Sequence, residues 1–455
     1  MSREEPEDRV CKEDCVLVEE RQVGVERWLD RAGSVPITFS LSFSKYNDHT
    51  AGFSLASALS LQTHKVTLLQ SIVSTFLRYR NQWKEARLIG VHSHTLAPLR
   101  ALTPKELPKL ESLKVFLIDR TPSIEEEGAM LGPLDNLEGL LGGPMLHQLY
   151  IGITSRRYNV ATLPVQWGRL TELYLRSPWD TCPASDALKI LSFIHKNIRR
   201  VCLWIQMPPE RPDYVNELNL PSQIHLPKLE NLELVFRKFT VNERGNQVDH
   251  EDINEFLLLL SCPSLDSFTL SIGSTRAEAM AASPVGRFLQ QSGCMLKSFT
   301  TDIPFDVPAI EDCLTSMPSI TSFSLELAGY QAHDAGNAVR TLTPGAGELK
   351  LICPALQHLA LSFIDPGDAE AVIKLIEGRQ QLAALKSVTA AFSGYTAETY
   401  RSRVEEFRQR GLEIKWAFYP ARSLSESEEE DHPEGGLPGG FPYARRAQFH
   451  GMNEY

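Results

Sequence analysis

The stretch LPKLENLEL, Leu226 to Leu234, decides how this chain is read. It holds an apolar anchor (Leu229), two variable residues, a second apolar residue (Leu232), one variable residue and a third apolar residue (Leu234), introduced by Pro227 and one further residue. The last two apolar positions sit two apart, so on an extended strand both point to one side, and the anchor three residues earlier closes the turn beneath them. One such strand buries too little surface to stand alone. Stacked in a parallel sheet on neighbours of the same spelling, it becomes one rung of a continuous apolar ladder.

The neighbours are present. The same spelling recurs as LESLKV from Leu110, LHQLYI from Leu146, LTELYL from Leu170, IRRVCL from Ile198, LDSFTL from Leu265, LKSFTT from Leu296, ITSFSL from Ile320, LQHLAL from Leu356 and LKSVTA from Leu385. Successive anchors lie 36, 24, 28, 31, 36, 31, 24, 36 and 29 residues apart, the range of a leucine-rich repeat or of an irregular, helix-containing version of one. Several long gaps carry an apolar stripe at helical spacing: 186–197, 251–260 and 368–377, with shorter versions over 283–291 and 308–317. The expected fold is therefore α/β: a leucine-rich-repeat solenoid with a parallel sheet on its concave side and irregular helices and loops outside.

Composition fits one repeat array. A chain of 455 residues has a length prior of about three domains, but an array runs this long as one unit. No run approaches the roughly 18 apolar residues of a membrane span, and the most apolar stretch, INEFLLLLSC from Ile253, fits a buried helix. The acidic start MSREEPEDRVCKED has the character of neither a signal peptide nor a presequence, so a cytoplasmic or nuclear location is expected. The eight cysteines are scattered and read as small buried residues in a reducing compartment rather than a disulfide framework; Cys11 and Cys15 are the only close pair.

Residues 1–30 carry ten acids against five bases and 421–455 seven against three, so the two ends account for −9 of the net −11. The body is nearly neutral and has no basic stripe for phosphates, which argues against nucleic acid as a partner, as the hydropathy argues against a membrane. The acidic 1–26 and the tail 421–455 (SLSESEEEDHPE, then GGLPGGFP) have the composition of disorder. Ser425 and Ser427 stand beside the acidic run as sites for an acidophilic kinase, a solvated tail being the plainer reading. Between the ends, 83–420 is the expected solenoid. The block 27–82 is expected to cap it, with a strand alternating at Ile37, Phe39, Leu41 and Phe43, a helix through Val66, Leu69, Val73 and Phe76, and a degenerate first rung at WKEARLIGV from Trp83.

The segment WLDRAGSVPITFSLSF from Trp28, the following helix, the RNQWKEARLIGV rung and the repeats opening LPKLESL and LPKLENL resemble the F-box proteins abundant in mushroom-forming (basidiomycete) fungi, where a WLxRSGxxPLxLxL segment follows the F-box. The resemblance runs from about Trp28 to about Tyr419, the repeat region only. In that family the F-box helices bind the Skp adaptor of a cullin-type ubiquitin ligase and the repeats hold the protein to be ubiquitinated. The resemblance thus implies a non-enzymatic protein–protein interaction module like the substrate-recognition part of such a receptor. No LP pair here continues into the LPxEI or LPxEL that opens an F-box, and only 27 residues precede Trp28. Skp is therefore an expected partner only if truncation has removed that module. A repeat scaffold without a ubiquitin role is the alternative, and an unrecognised α/β enzyme the third.

The sequence spells no GxSxG, HExxH, P-loop, GxGxxG or CxxC. His92 and His94 form an HxH without an identifiable third ligand, and Glu125, Glu126 and Glu127 lie in a polar loop. No catalytic, cofactor or metal residue is assigned. The repeat register points instead to the other side of the strands. Lys114, Tyr150, Tyr174, Cys202 and Glu233 open one outward column, and Phe116, Gly152, Arg176, Trp204 and Val235 its neighbour. Tyr, Trp and Arg recur at energetic hot spots because they bury large area and keep a polar handle. Phe116, Tyr150, Tyr174, Arg176 and Trp204 are the candidate partner-binding residues, with cover by neighbouring loops or helices as the competing reading.

Overall fold

Six of the rungs begin with a β-turn that their own sequence dictates. In LPKL, GPML, LPKL, CPSL, MPSI and CPAL the N–H of the anchor (Leu110, Leu146, Leu229, Leu265, Ile320, Leu356) donates to the carbonyl three residues earlier, at 3.2–3.4 Å. Proline thus occupies the second turn position, where its fixed φ is already correct and its missing N–H is not needed. The carbonyl of the next residue then accepts two N–H groups from the following rung. Glu111 receives His147 and Gln148, His147 receives Thr171 and Glu172, Thr171 receives Arg199 and Arg200, and Arg199 receives Glu230 and Asn231. Each turn therefore sets the register of the next strand.

The computed structural model describes residues 23–42, 70–91, 98–117, 137–153, 160–176, 182–207, 223–238, 250–272, 283–326, 332–344, 351–382, 385–393 and 400–419. Cys11, Cys15, Phe43, Val66, Leu69, His92, His94, Glu125, Glu126, Glu127, Ser425, Ser427, residues 1–22 and the tail 421–455 lie outside them. The chain divides into two compact units, Met1–Glu278 with Ser283–Phe299, and Ala279–Ala282 with Thr300–Tyr455.

Among the described residues of the first unit, eight longer strands follow in chain order, each parallel to the next: β1 (Ile37–Ser42), β2 (Trp83–Val91), β3 (Ser112–Leu117), β4 (Gln148–Ile153), β5 (Glu172–Leu175), β6 (Arg200–Met207), β7 (Asn231–Lys238) and β8 (Ser267–Ile272). The second rung positions align across the sheet: Leu113 with Leu149, Leu173, Val201, Leu232 and Phe268. All six are at most 2% exposed. Helices close this inner side. Phe256 of the helix His250–Leu258 meets Phe236 edge-on at 5.4 Å, and Phe288 of the helix Pro284–Ser292 lies 5.4 Å from Phe268. The latter helix is framed by its sequence: Ser283 caps the N-terminus by accepting from the Val285 N–H, Pro284 takes the first turn, and Gly293 ends it with φ +65°.

The strand β9 (Ser298–Thr301) lies where the units divide. The second unit repeats the plan with β10 (Ser322–Glu326), β11 (His358–Ile364), β12 (Ser387–Ser393) and β13 (Glu413–Tyr419), again parallel and in order. Phe323, Leu359, Val388 and Ile414 form its aligned inner column. This is leucine-rich-repeat architecture: short parallel rungs, an apolar ladder on one side, and helices or irregular segments returning the chain.

The helices expected at 186–197, 251–260, 283–291, 308–317 and 368–377 are present as Ala184–Ile194, His250–Leu258, Pro284–Ser292, Val307–Thr315 and Ala369–Leu382. Several elements go beyond the sequence expectation. Helices occupy Ala332–Leu342 and Arg401–Gln409, and β13 adds a rung after the last recognised repeat. At that rung Gly411, with φ +89°, stands where the anchor would be, and the buried Leu412 takes over its role. The block before Trp83 also contributes β1 itself to the sheet.

Candidate functional site

Alternation fixes the outward face of the first unit as firmly as it fixes the core. Successive residues of a strand point to opposite faces, so the residues between the buried leucines emerge together. Strand pairing sets Arg87, Lys114, Tyr150, Tyr174, Cys202 and Glu233 side by side in one column. A second holds Phe116 beside Gly152 and Trp204 beside Val235. On the other flank run Glu85, Ser112, Gln148, Glu172 and Arg200.

These columns interlock. The Tyr150 and Tyr174 rings stack at 4.2 Å and 9°. Lys114 lays its ammonium 4.3 Å from the centre of the Tyr150 ring. The phenol of Tyr150 donates to Glu172 Oε2 at 2.9 Å, and Gln148 Nε2 donates to the same carboxylate, which also faces Arg200 at 3.5 Å. Burial first, then Tyr174 and Glu172 close by, pushes the Tyr150 phenol well above its ordinary pKa, so it stays a donor. Phe116 leans over Gly152, where a Cβ would stand 2.1 Å from the ring.

Trp204 sits deeper. It is 3% exposed and forms a buried cluster with Cys202 and Val235, against which Tyr174 packs. Two guanidinium groups face its ring, Arg176 at 5.0 Å and Arg237 at 4.3 Å, positions at which cation–π attraction holds. Burial, with Glu233 adding to it, pushes the Cys202 thiol far above its ordinary pKa, so this sulfur packs as a small apolar group and is no nucleophile at neutral pH.

Two polar groups on this face are left over. Ser112 Oγ and Trp204 Nε1 are buried without a hydrogen-bond partner. Lys114 is 5% exposed, and its ammonium rests on the Tyr150 ring. Burial, then the neighbouring Arg87, pulls its pKa down. The carboxylates nearby are committed elsewhere, Glu85 to Arg87 at 2.7 Å and Glu172 to the donors above. Buried polar groups are normally satisfied, so two leftovers on one sheet face need an explanation.

The five sequence candidates thus share one face. Phe116, Tyr150, Tyr174 and Arg176 are half-buried on it, and Trp204 is beneath it. Arg237 was missed because its strand outruns the six-residue spelling by one more outward position. Lys114 carried a signal, its place at the head of the column, that aromatic residues outranked. Among the described residues no group of three or more His, Cys, Asp or Glu is placed to hold a metal ion, and no helix is long and apolar enough to cross a membrane.

No family model matches the chain, and no curated protein matches it. Among solved structures it is similar to a chain of the Rad7 and Elc1 complex in yeast, at 13% identity and a TM-score of 0.35, over 91% of this chain and 98% of that one.

Proposed function

We propose that the chain is a non-enzymatic protein-interaction module that holds a partner protein against the outward face of β3 to β7. One observation carries this: aromatic and cationic side chains stack there in register while two buried polar groups, Ser112 Oγ and Trp204 Nε1, lack hydrogen-bond partners. A finished structural surface satisfies its polar groups; a binding surface leaves that to the partner. The resemblance of the WLDRAG block and the rungs to basidiomycete F-box receptors supports a finer reading, in which the partner is a protein presented for ubiquitination. An intracellular location, cytoplasmic or nuclear, belongs to that reading, as does Skp as adaptor for a longer form carrying an F-box.

The test compares proteins co-purified with the intact chain and with Arg176→Glu, which reverses a charge on the half-buried part of the face. Specific partners should drop out at least tenfold with Arg176→Glu, by quantitative mass spectrometry, while the thermal transition is retained. An unchanged partner set removes the proposal. Recovery of Skp with a longer form, and not with a form cut before Trp28, separates the ubiquitin reading from a plain scaffold.

A further inference from the structure

The last strand of the second unit has an open side. β13 pairs with β12 over Glu413–Tyr419 in unbroken register. The Glu413 N–H donates to the Lys386 carbonyl of that ladder at 3.0 Å. By the period of two, Glu413 and Lys415 turn their main-chain groups toward β12, and Ile414 and Trp416 turn theirs the other way. Among the described residues no strand pairs with β13 on that side. One group there is in use: Arg408 donates to the Ile414 carbonyl at 3.1 Å, which leaves that oxygen a second lone pair. Open edges are commonly blunted by bulges or proline. β1 has a register shift between Ile37 and Thr38, whereas β13 has no shift and contains no proline.

The stretch from Leu412 to Trp416 is its own complement. Inward stand Leu412 and Ile414, both buried, and Trp416, which is half-buried with Phe392 4.6 Å from its ring and its indole N–H without a hydrogen-bond partner. Outward stand Glu413 and Lys415, both exposed. We propose that β13 pairs edge to edge with β13 of a second copy of this chain, antiparallel, about a twofold axis at Ile414. The two Ile414 N–H groups then donate to each other's carbonyl, and each Trp416 N–H donates to the Leu412 carbonyl of the other copy. The Leu412 N–H is not needed, since it already serves the Phe407 carbonyl at 3.1 Å. In this register Glu413 stands opposite Lys415 of the other copy, twice, at the non-hydrogen-bonded positions where facing side chains come closest. Leu412 stands opposite Trp416, twice, and covers the half-buried ring. A lysine on an edge ordinarily turns a second copy away; the glutamate two residues before it reverses that effect.

The contact uses no residue of the face on β3 to β7, so it stands or falls apart from the interaction reading above. A strand edge is small beside the roughly 800 Å² per partner of stable complexes, so the association is weak and grows with concentration. Sedimentation velocity of the full chain over a hundredfold range of concentration should show monomer passing into dimer. Lys415→Glu and Glu413→Lys change exposed side chains and should each weaken the dimer at least fivefold, by setting like charges opposite one another, while the thermal transition is retained. One variant then carries two acids at these positions and the other two bases. Mixed in equal amounts they should associate at least as tightly as the intact chain, although neither does so alone. Should one variant lose its thermal transition, the other alone reads the contact. A chain that stays monomeric throughout, a dimer indifferent to both substitutions, or a mixture no better than its components overturns the proposal.

Discussion

At the residue scale, Arg379 shows how one side chain substitutes for missing backbone partners. It is fully buried, and its guanidinium donates to three main-chain carbonyls: Leu342 at 3.0 Å, Cys353 at 3.0 Å and Ile352 at 2.5 Å. Burial pulls its pKa down. The Cys353 carbonyl also accepts from the Leu356 N–H, closing the CPAL turn, and Cys353 itself holds φ +51°, a left-handed conformation that only the surrounding bonds make tolerable. Arg379 therefore pins the turn that sets the register of β11. Arg379→Met removes the charge and takes this donor from the Leu342 and Ile352 carbonyls, while the Cys353 carbonyl keeps the Leu356 N–H, and each unsatisfied group costs about 1–3 kcal/mol. The expected loss is about 3 kcal/mol or more, read by denaturant unfolding, with Arg379→Lys intermediate. A loss below about 1 kcal/mol would contradict the clamp.

At the scale of one element, the two faces of a rung carry different duties. In β8 the burial alternates, with Phe268, Leu270 and Ile272 inward and Ser267, Thr269 and Ser271 outward. Leu270 is fully buried between β7 and its helix layer, so Leu270→Ala removes buried methyl groups and leaves a cavity, a change of about 2–5 kcal/mol. Thr269, one residue away, is only half-buried, and Thr269→Ala should cost less than about 1 kcal/mol. Urea melts of the pair measure the contrast. Equal costs would mean that the rung does not discriminate its faces. The same division lets the outward columns of β3 to β7 carry Lys, Tyr, Trp and Arg without disturbing the ladder beneath.

At the scale of the whole molecule, rungs touch only their neighbours in sequence, so stability is a sum of local and nearest-neighbour terms. In the first unit β6 and β7 pair over eight residues and have strands on both sides, whereas among the described residues β1 pairs with β2 alone. Hydrogen exchange followed by mass spectrometry should therefore show the amides of β6 and β7 exchanging at least tenfold slower than those of β1. Uniform protection across the unit would show instead that it opens as a single cooperative block.

The sequence by itself determined the rungs. Anchor spacing and alternation are properties of a few consecutive residues, so Leu113, Leu173, Leu232 and Leu359 could be assigned inward, and the outward columns paired, from spelling alone. The six proline turns were legible for the same reason. Only the tertiary structure decided how deep each outward residue lies and what it faces. Trp204 is buried and Tyr174 half-buried though both are outward aromatics by register, and Arg176 and Arg237 face the Trp204 ring from either side of its strand. The rung at Gly411, the role of Arg379 and the unpaired donors on Ser112 and Trp204 were equally silent. Inward burial follows from the strand's own period; outward burial, hydrogen bonding and charge balance depend on residues 24 to 36 positions away in the chain that only stacking brings together.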